Sequence, residues 1–314
     1  MIPTATHATP PAAPTHSPVQ APRRIVHRTR GHGGGFITRL MSPSDLGEVL
    51  KPFVFLDLFR ADEDTQRAME ARGGMPIHPH SGVATVTVIT EGRMRFDDPD
   101  AGKGTIGYGG VEWMRAGGGV WHGKEMTTDD VPLIEGFQLW LALPDALENG
   151  PSESRYIEAA DMPQDGPARV IVGEYNGVRS PVPAPDGINY LLVTLAAGET
   201  FTYQPPAGHT VGWLAVSQGK LSTGATQPSA VAGDMVVFDN SGATLHLQAS
   251  GDTPAVFVLG SAVPHPHPLH LGNYSVHTSA KALEIGENRI KELGRTLKAL
   301  GDRRTASGTV PVLR

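Results

Sequence analysis

The amino-acid sequence predicts an all-β protein built from two β-barrels of jelly-roll type, with a short C-terminal helix. Three observations carry this. The 314 residues include 38 glycines and 27 prolines, which favours many short strands over long helices. Runs rich in β-branched and apolar residues recur at short intervals and stop at turn signals such as Glu91-Gly92, Asp97 to Gly102 and Tyr108-Gly109-Gly110. A second β-rich unit begins near Ile188 and repeats that rhythm. Gly198-Glu199, Gln218-Gly219 and Ala232-Gly233-Asp234 punctuate it, so the chain carries a weak internal repeat.

The elements follow in order. Residues 1–23 are rich in Pro, Ala, Thr and His, lack the apolar stretch of a secretory signal, and are expected to form a disordered tail. Arg24 to Arg28 and Gly35 to Leu40 read as short strands, and Pro52 to Phe59 as a buried apolar run. The charged stretch 60–72 is a solvated loop or a short helix. Val83 to Thr90, Arg93 to Phe96, Val111 to Met114 and Phe137 to Leu143 are strands, the last stopped by Pro144. These place a first domain at residues 24–150. A connecting region at 151–185 holds the strand Val170 to Val172. A second domain at 186–314 contains strands at Tyr190 to Leu195, Val211 to Val216, Val236 to Phe238 and Ala255 to Leu259. It ends in an amphipathic helix over about 280–300, with Leu283, Ile290, Leu293 and Leu297 on one stripe.

Composition excludes several functions. The net charge is -6 with no basic cluster, which argues against duplex nucleic acid as a direct ligand. The absence of cysteine removes disulfides, thiolate metal sites and cysteine nucleophiles. No run of 18 apolar residues suggests a membrane span, and the cytoplasm is the default location.

The chemistry concentrates at His78-Pro79-His80. Imidazoles two positions apart on a strand share a face, so their nitrogens can converge on one cation. His122 follows in the glycine-rich turn from Ala116. Neutral imidazole is a good ligand for iron, copper, nickel and zinc. His265-Pro266-His267 looks similar but is flanked by proline, with no β-run and no glycine-turn histidine after it, and is read as a decoy. His209 lacks a His-x-His partner, so the second barrel is expected to be metal-free, and His7 and His16 belong to the tail. Trp113, Trp121, Met114 and Phe55 are read as barrel core, with pocket lining as the alternative.

Three stretches resemble the pirin family of the cupin superfamily. They are Pro76 to Gly92, Ile106 to His122, and Pro268 to Thr278 with the helix that follows. The resemblance covers residues 24–300 and implies two cupin-type barrels (a bicupin) with one metal in the first. It implies His78, His80 and His122 as ligands of a divalent metal, Fe(II) first and other first-row metals next. It also implies quercetin 2,3-dioxygenase activity on a flavonol. The rival implication is a non-catalytic, metal-bound or redox-sensing protein that acts through a protein partner.

Two departures bear on the fourth ligand and the catalytic base. The family's His-x-Glu appears as His122-Gly123-Lys124-Glu125, with the carboxylate one position late, and the acidic residue expected four positions after the pair is Ala84. A one-residue shift reverses a side chain on a strand, whereas a bulge or loop can absorb it. Glu125 is accordingly the expected fourth ligand. It is also the one carboxylate near in sequence that could take a flavonol hydroxyl proton.

Overall fold

Two seven-stranded antiparallel sheets organise the chain, each backed by smaller sheets. The computed structural model describes residues 22–98, 101–123, 125–224 and 229–299. The expected tail up to residue 21, the tip residues Pro99 and Asp100, and Lys124 lie outside the described residues. The first sheet runs Glu153–Ile157, Val111–Arg115, Val83–Glu91, Leu133–Ala142, Phe53–Asp62, Ile37–Met41, His32–Gly34. The second runs Ile25–Thr29, Met235–Phe238, Val211–Gln218, Ala255–Ala262, Ile188–Leu195, Ala168–Val172, Gln164–Asp165. Two cupin-type barrels result, as expected.

Strand alternation divides each sheet into two faces. Val86, Trp113, Phe137 and Leu139 of the first sheet share one core with Tyr190, Leu192, Trp213 and Val258 of the second. The barrels therefore pack sheet against sheet, and Trp213 meets Phe53 edge-on at 5.3 Å. The other face of the second sheet closes over an apolar interior that includes Phe201, Leu221, Leu247 and Phe257.

The corresponding face of the first sheet is mixed. Its apolar part includes Phe55, Val83, Met114, Val120 and Trp140. Beside it, strand register sets Glu112, Thr87, Gln138 and Asp57 in one row. Polar groups buried there must find partners or a ligand, since an unpaired one costs about 1–3 kcal/mol. The sequence difference between the two interiors thus positions chemistry in the first barrel.

Three elements depart from the expected boundaries. Ile25–Thr29, assigned to the first domain, pairs instead with Met235–Phe238 of the second sheet. It covers what would be an open edge, and Arg23 Nη2 fixes it by donating to the carbonyls of Thr210 and Asp239 at 2.8 and 2.6 Å. The region 151–185 serves both sheets: Glu153–Ile157 edges the first, while Ala168–Val172 joins the second. The charged stretch after residue 60 resolves into an end of strand and the helix Glu63–Ala71, capped by the Asp62 carboxylate accepting from Thr65 N–H at 2.9 Å.

The C-terminal helix spans Ala280–Ala299 and buries Ala282, Gly286, Ile290, Leu293 and Leu297, with Leu283 half-buried. It packs against the strand Val120–His122. No helix among the described residues is long and apolar enough to cross a membrane.

Candidate metal centre

The His-x-His pair forms the strand His78–His80, which pairs antiparallel with Val120–His122. Register sets His122 directly opposite His78, so their side chains share a face, and His80 joins them two residues along. The ring centroids of His78 lie 4.8 Å from His80 and 4.7 Å from His122, and those of His80 and His122 are 5.1 Å apart. Three ligand nitrogens, one per ring, fall within 4.8 Å of one another.

Each imidazole is held by its Nδ1. His78 Nδ1 donates to the Pro76 carbonyl at 2.8 Å, and His80 Nδ1 to the Tyr274 carbonyl at 3.3 Å. His122 Nδ1 donates to Glu125 Oε1 at 2.5 Å. Those acceptors place a ring proton on Nδ1, so that each imidazole, when neutral, offers Nε2 as its ligand atom. His122 Nε2 is buried without a hydrogen-bond partner. A cation is the natural complement of three such nitrogens, and anchoring of the far ring nitrogen is how proteins orient metal-bound histidines. The residues therefore fit the divalent metal implied by their pattern.

Burial reinforces this state. It holds His78 down at about 4 and His80 well below the usual imidazole range, with the neighbouring His122 adding to both shifts. Both rings are neutral, as ligation requires, at neutral pH. Burial also works against charge on His122, but the Glu125 carboxylate outweighs it and raises the imidazole. Glu125 is correspondingly held low by His122 despite its own burial.

Glu125 sits differently from the simplest expectation. Oε1 accepts from His122, and Oε2 accepts from the Gly123 N–H at 2.7 Å. Next to His122, Gly123 has a φ of +144°, a glycine conformation, and its missing Cβ would stand 2.4 Å from the Pro76 carbonyl oxygen. Glu125 groups with His122 and Glu112, whereas His78 and His80 group with His122 alone.

Glu112 is the residue the sequence reading missed as a site candidate. It is 3 % exposed, hydrogen-bonded to Thr87 Oγ1, and pushed by burial up to about 7. The signal was present: in Val111-Glu112-Trp113 the two flanking residues belong to the inter-sheet core, so an acid between them must face the barrel interior. Trp140 was missed too. It stacks on Phe55 at 4.1 Å and meets His80 edge-on at 4.7 Å.

Of the four residues read as core or pocket lining, Phe55 and Met114 belong to the first barrel's interior cluster. Trp113 lies in the inter-sheet core, and Trp121 donates its Nε1–H to the Ile290 carbonyl on the C-terminal helix at 2.9 Å. His209 donates or accepts at Ser261 Oγ, 3.0 Å away, in the second barrel.

Comparison with known proteins agrees with this architecture. Residues 36–141 match the family model described as Pirin. A pirin-like protein of Caulobacter vibrioides is 34% identical over 259 residues, covering 79% of this chain and 90% of its own. A Pseudomonas aeruginosa protein provisionally named a quercetin 2,3-dioxygenase is 32% identical, covering 76% of this chain and 85% of its own. Among solved structures, a quercetin 2,3-dioxygenase from Acinetobacter baumannii superposes with a TM-score of 0.69 at 24% identity, over 91% of this chain and 99% of that one. The nickel(II) complex of the Escherichia coli pirin YhhW gives a TM-score of 0.56 at 15% identity, over 77% and 98%. These two structures speak for the fold.

Proposed function

The chain belongs to the pirin family, and from that premise we propose that it is a mononuclear metal enzyme of quercetin 2,3-dioxygenase type. The observation that carries the reading is the trio of converging imidazoles with anchored Nδ1, of which His122 also has a buried Nε2 without a hydrogen-bond partner. His78, His80 and His122 would hold the metal, with Fe(II) the first candidate and other first-row ions next. Bound there, such a metal would supply a Lewis-acidic anchor for the 3-hydroxyl and 4-keto oxygens of a flavonol and the electron transfer that dioxygen chemistry needs.

The chain's own residues divide the remaining work. Glu125 acts through His122: it fixes the ring's tautomer and orientation and is our proposed substitute for the family's direct carboxylate ligand. A carboxylate held low and committed on both oxygens is a poor proton acceptor. Glu112, poised near neutrality inside the barrel, is better matched to take the flavonol hydroxyl proton. Trp140 and Phe55 supply an aromatic wall beside His80.

The test is oxygen consumption by iron-loaded protein with quercetin. Uptake that requires both metal and flavonol supports the enzyme reading. Full metal occupancy with no uptake on any flavonol would overturn it. That result would leave the metal-bound interaction protein, a reading favoured by Ala84 at the acidic position and by the engagement of Glu125.

A further inference from the structure

A buried polar cluster adjoins the imidazole trio at Ser81. Ser81, next to His80, is hydrogen-bonded to His277 Nε2 at 2.9 Å, and His277 Nδ1 donates to Glu148 Oε2 at 3.0 Å. Glu148 also accepts from the backbone and hydroxyl of Thr278, at 2.7 and 2.6 Å. The order serine, histidine, carboxylate matches that of a nucleophilic triad. Burial decides against that role. Ser81 has no exposed surface, and Gly286 of the C-terminal helix seals the Ser81–His277 bond so closely that a Cβ there would sit 2.5 Å from both partners. A nucleophile with no path to substrate does no acyl chemistry.

What the cluster does is tie two segments together. Ser81 and Ser275 form a parallel bridge between two distant segments of the chain, with hydroxyls 3.0 Å apart and the Val276 N–H donating to the Ser81 carbonyl at 3.2 Å. One residue before that bridge stands Tyr274, whose carbonyl receives His80 Nδ1. Tyr274 takes a φ of +61°, a backbone state a tyrosine adopts only when its surroundings impose it.

We infer that the segment Tyr274 to Thr278 is part of the metal centre's scaffold, with His277 and Glu148 as positioning residues. The His277–Glu148 pair pins the segment on Ser81, and the segment in turn presents the Tyr274 carbonyl that aims His80. The inference rests on the three-imidazole metal reading and extends it to residues that touch neither metal nor substrate.

Cobalt(II) bound to the full-length chain tests it, read by chelator competition and by the visible ligand-field spectrum. Glu148→Gln and His277→Leu are expected to weaken Co(II) binding about tenfold, the lower end for residues that orient ligands. They should also shift the visible bands, because His80 loses its fixed orientation. Val216→Ala, a cavity in the second barrel's core, serves as the control for general destabilisation and should leave affinity and spectrum unchanged. A folded Glu148→Gln with wild-type affinity and spectrum would overturn the inference, and this near-isosteric variant decides the matter if His277→Leu does not fold. Labelling of Ser81 by a fluorophosphonate would also overturn it. A folded wild-type chain that takes up no Co(II) would overturn the metal reading itself, and this inference with it.

Discussion

Replacing Glu125 with glutamine separates a carboxylate that binds the metal from one that aims a ligand. Glutamine keeps the shape but has one acceptor oxygen, while the site presents two donors, His122 Nδ1–H and Gly123 N–H. One donor then faces an amide NH2 and loses its bond. His122 loses its anionic partner as well, so the ring's tautomer and orientation are no longer imposed. Loss of such an outer partner weakens metal binding by about 10- to 100-fold, or about 1.4–2.8 kcal/mol at 1.4 kcal/mol per tenfold. The assay is chelator competition with Ni(II) near neutral pH, with His122→Ala as the reference for losing a ligand outright. The expected Kd for Glu125→Gln lies between those of wild type and His122→Ala. An unchanged Kd would refute the orienting role. A loss as complete as that of His122→Ala would make Glu125 a direct ligand, as the sequence pattern alone suggests.

Further outcomes follow from the same geometry. His80→Ala removes a nitrogen rather than its support, and metal affinity should fall by more than about 100-fold, beyond the outer-partner range; retention of stoichiometric metal would contradict this. Glu112→Gln should leave affinity nearly intact yet lower flavonol-dependent oxygen uptake about 10²- to 10⁴-fold, and abolish a rise of wild-type kcat/KM through about pH 7 as Glu112 ionises. A full rate in Glu112→Gln would remove it as the proton acceptor. Metal-free stability should fall with acid. His78 is held at about 4 in the folded chain, whereas an unfolded histidine titrates near 6.5. Between these values the unfolded chain binds more protons, so stability drops as pH falls through the window, by at most about 3 kcal/mol for this ring. Denaturant melts of metal-free His78→Ala should show a flatter pH dependence, and an equal slope would contradict the assignment. Trp213→Ala, at the seam between barrels, should cost about 3–5 kcal/mol in the same melts, and a loss below about 1 kcal/mol would show that the seam is not a shared core.

The parts of the fold legible in the sequence are those set by local periodicity. His78 and His80 could be placed on one face because a strand repeats every two residues, and the glycine turn marked where His122 returns to them. The helix at the C-terminus showed its stripe for the analogous reason at a period of 3.6. Pairing partners were not legible. Ile25–Thr29 carries a strand's composition, but nothing local says that it will edge a sheet about two hundred residues away. Glu125 illustrates the same limit. Sequence shows the one-residue delay, while the return of the Glu125 carboxylate to His122 and the close approach of Gly123 to the Pro76 carbonyl are visible only in the folded chain. Tyr274, His277 and Glu148 reach the site through long-range bonds, so their role emerges only once the chain is folded.

Our proposal puts one divalent metal on the Nε2 atoms of His78, His80 and His122. X-ray absorption of the iron-loaded protein, with metal analysis of the same sample, is its decisive test. One iron per chain is expected, with imidazole nitrogens at about 2.0–2.2 Å and a three-imidazole scattering pattern that collapses in His122→Ala. A chain that takes up no stoichiometric metal, or an iron shell unaltered by His122→Ala, would contradict the account.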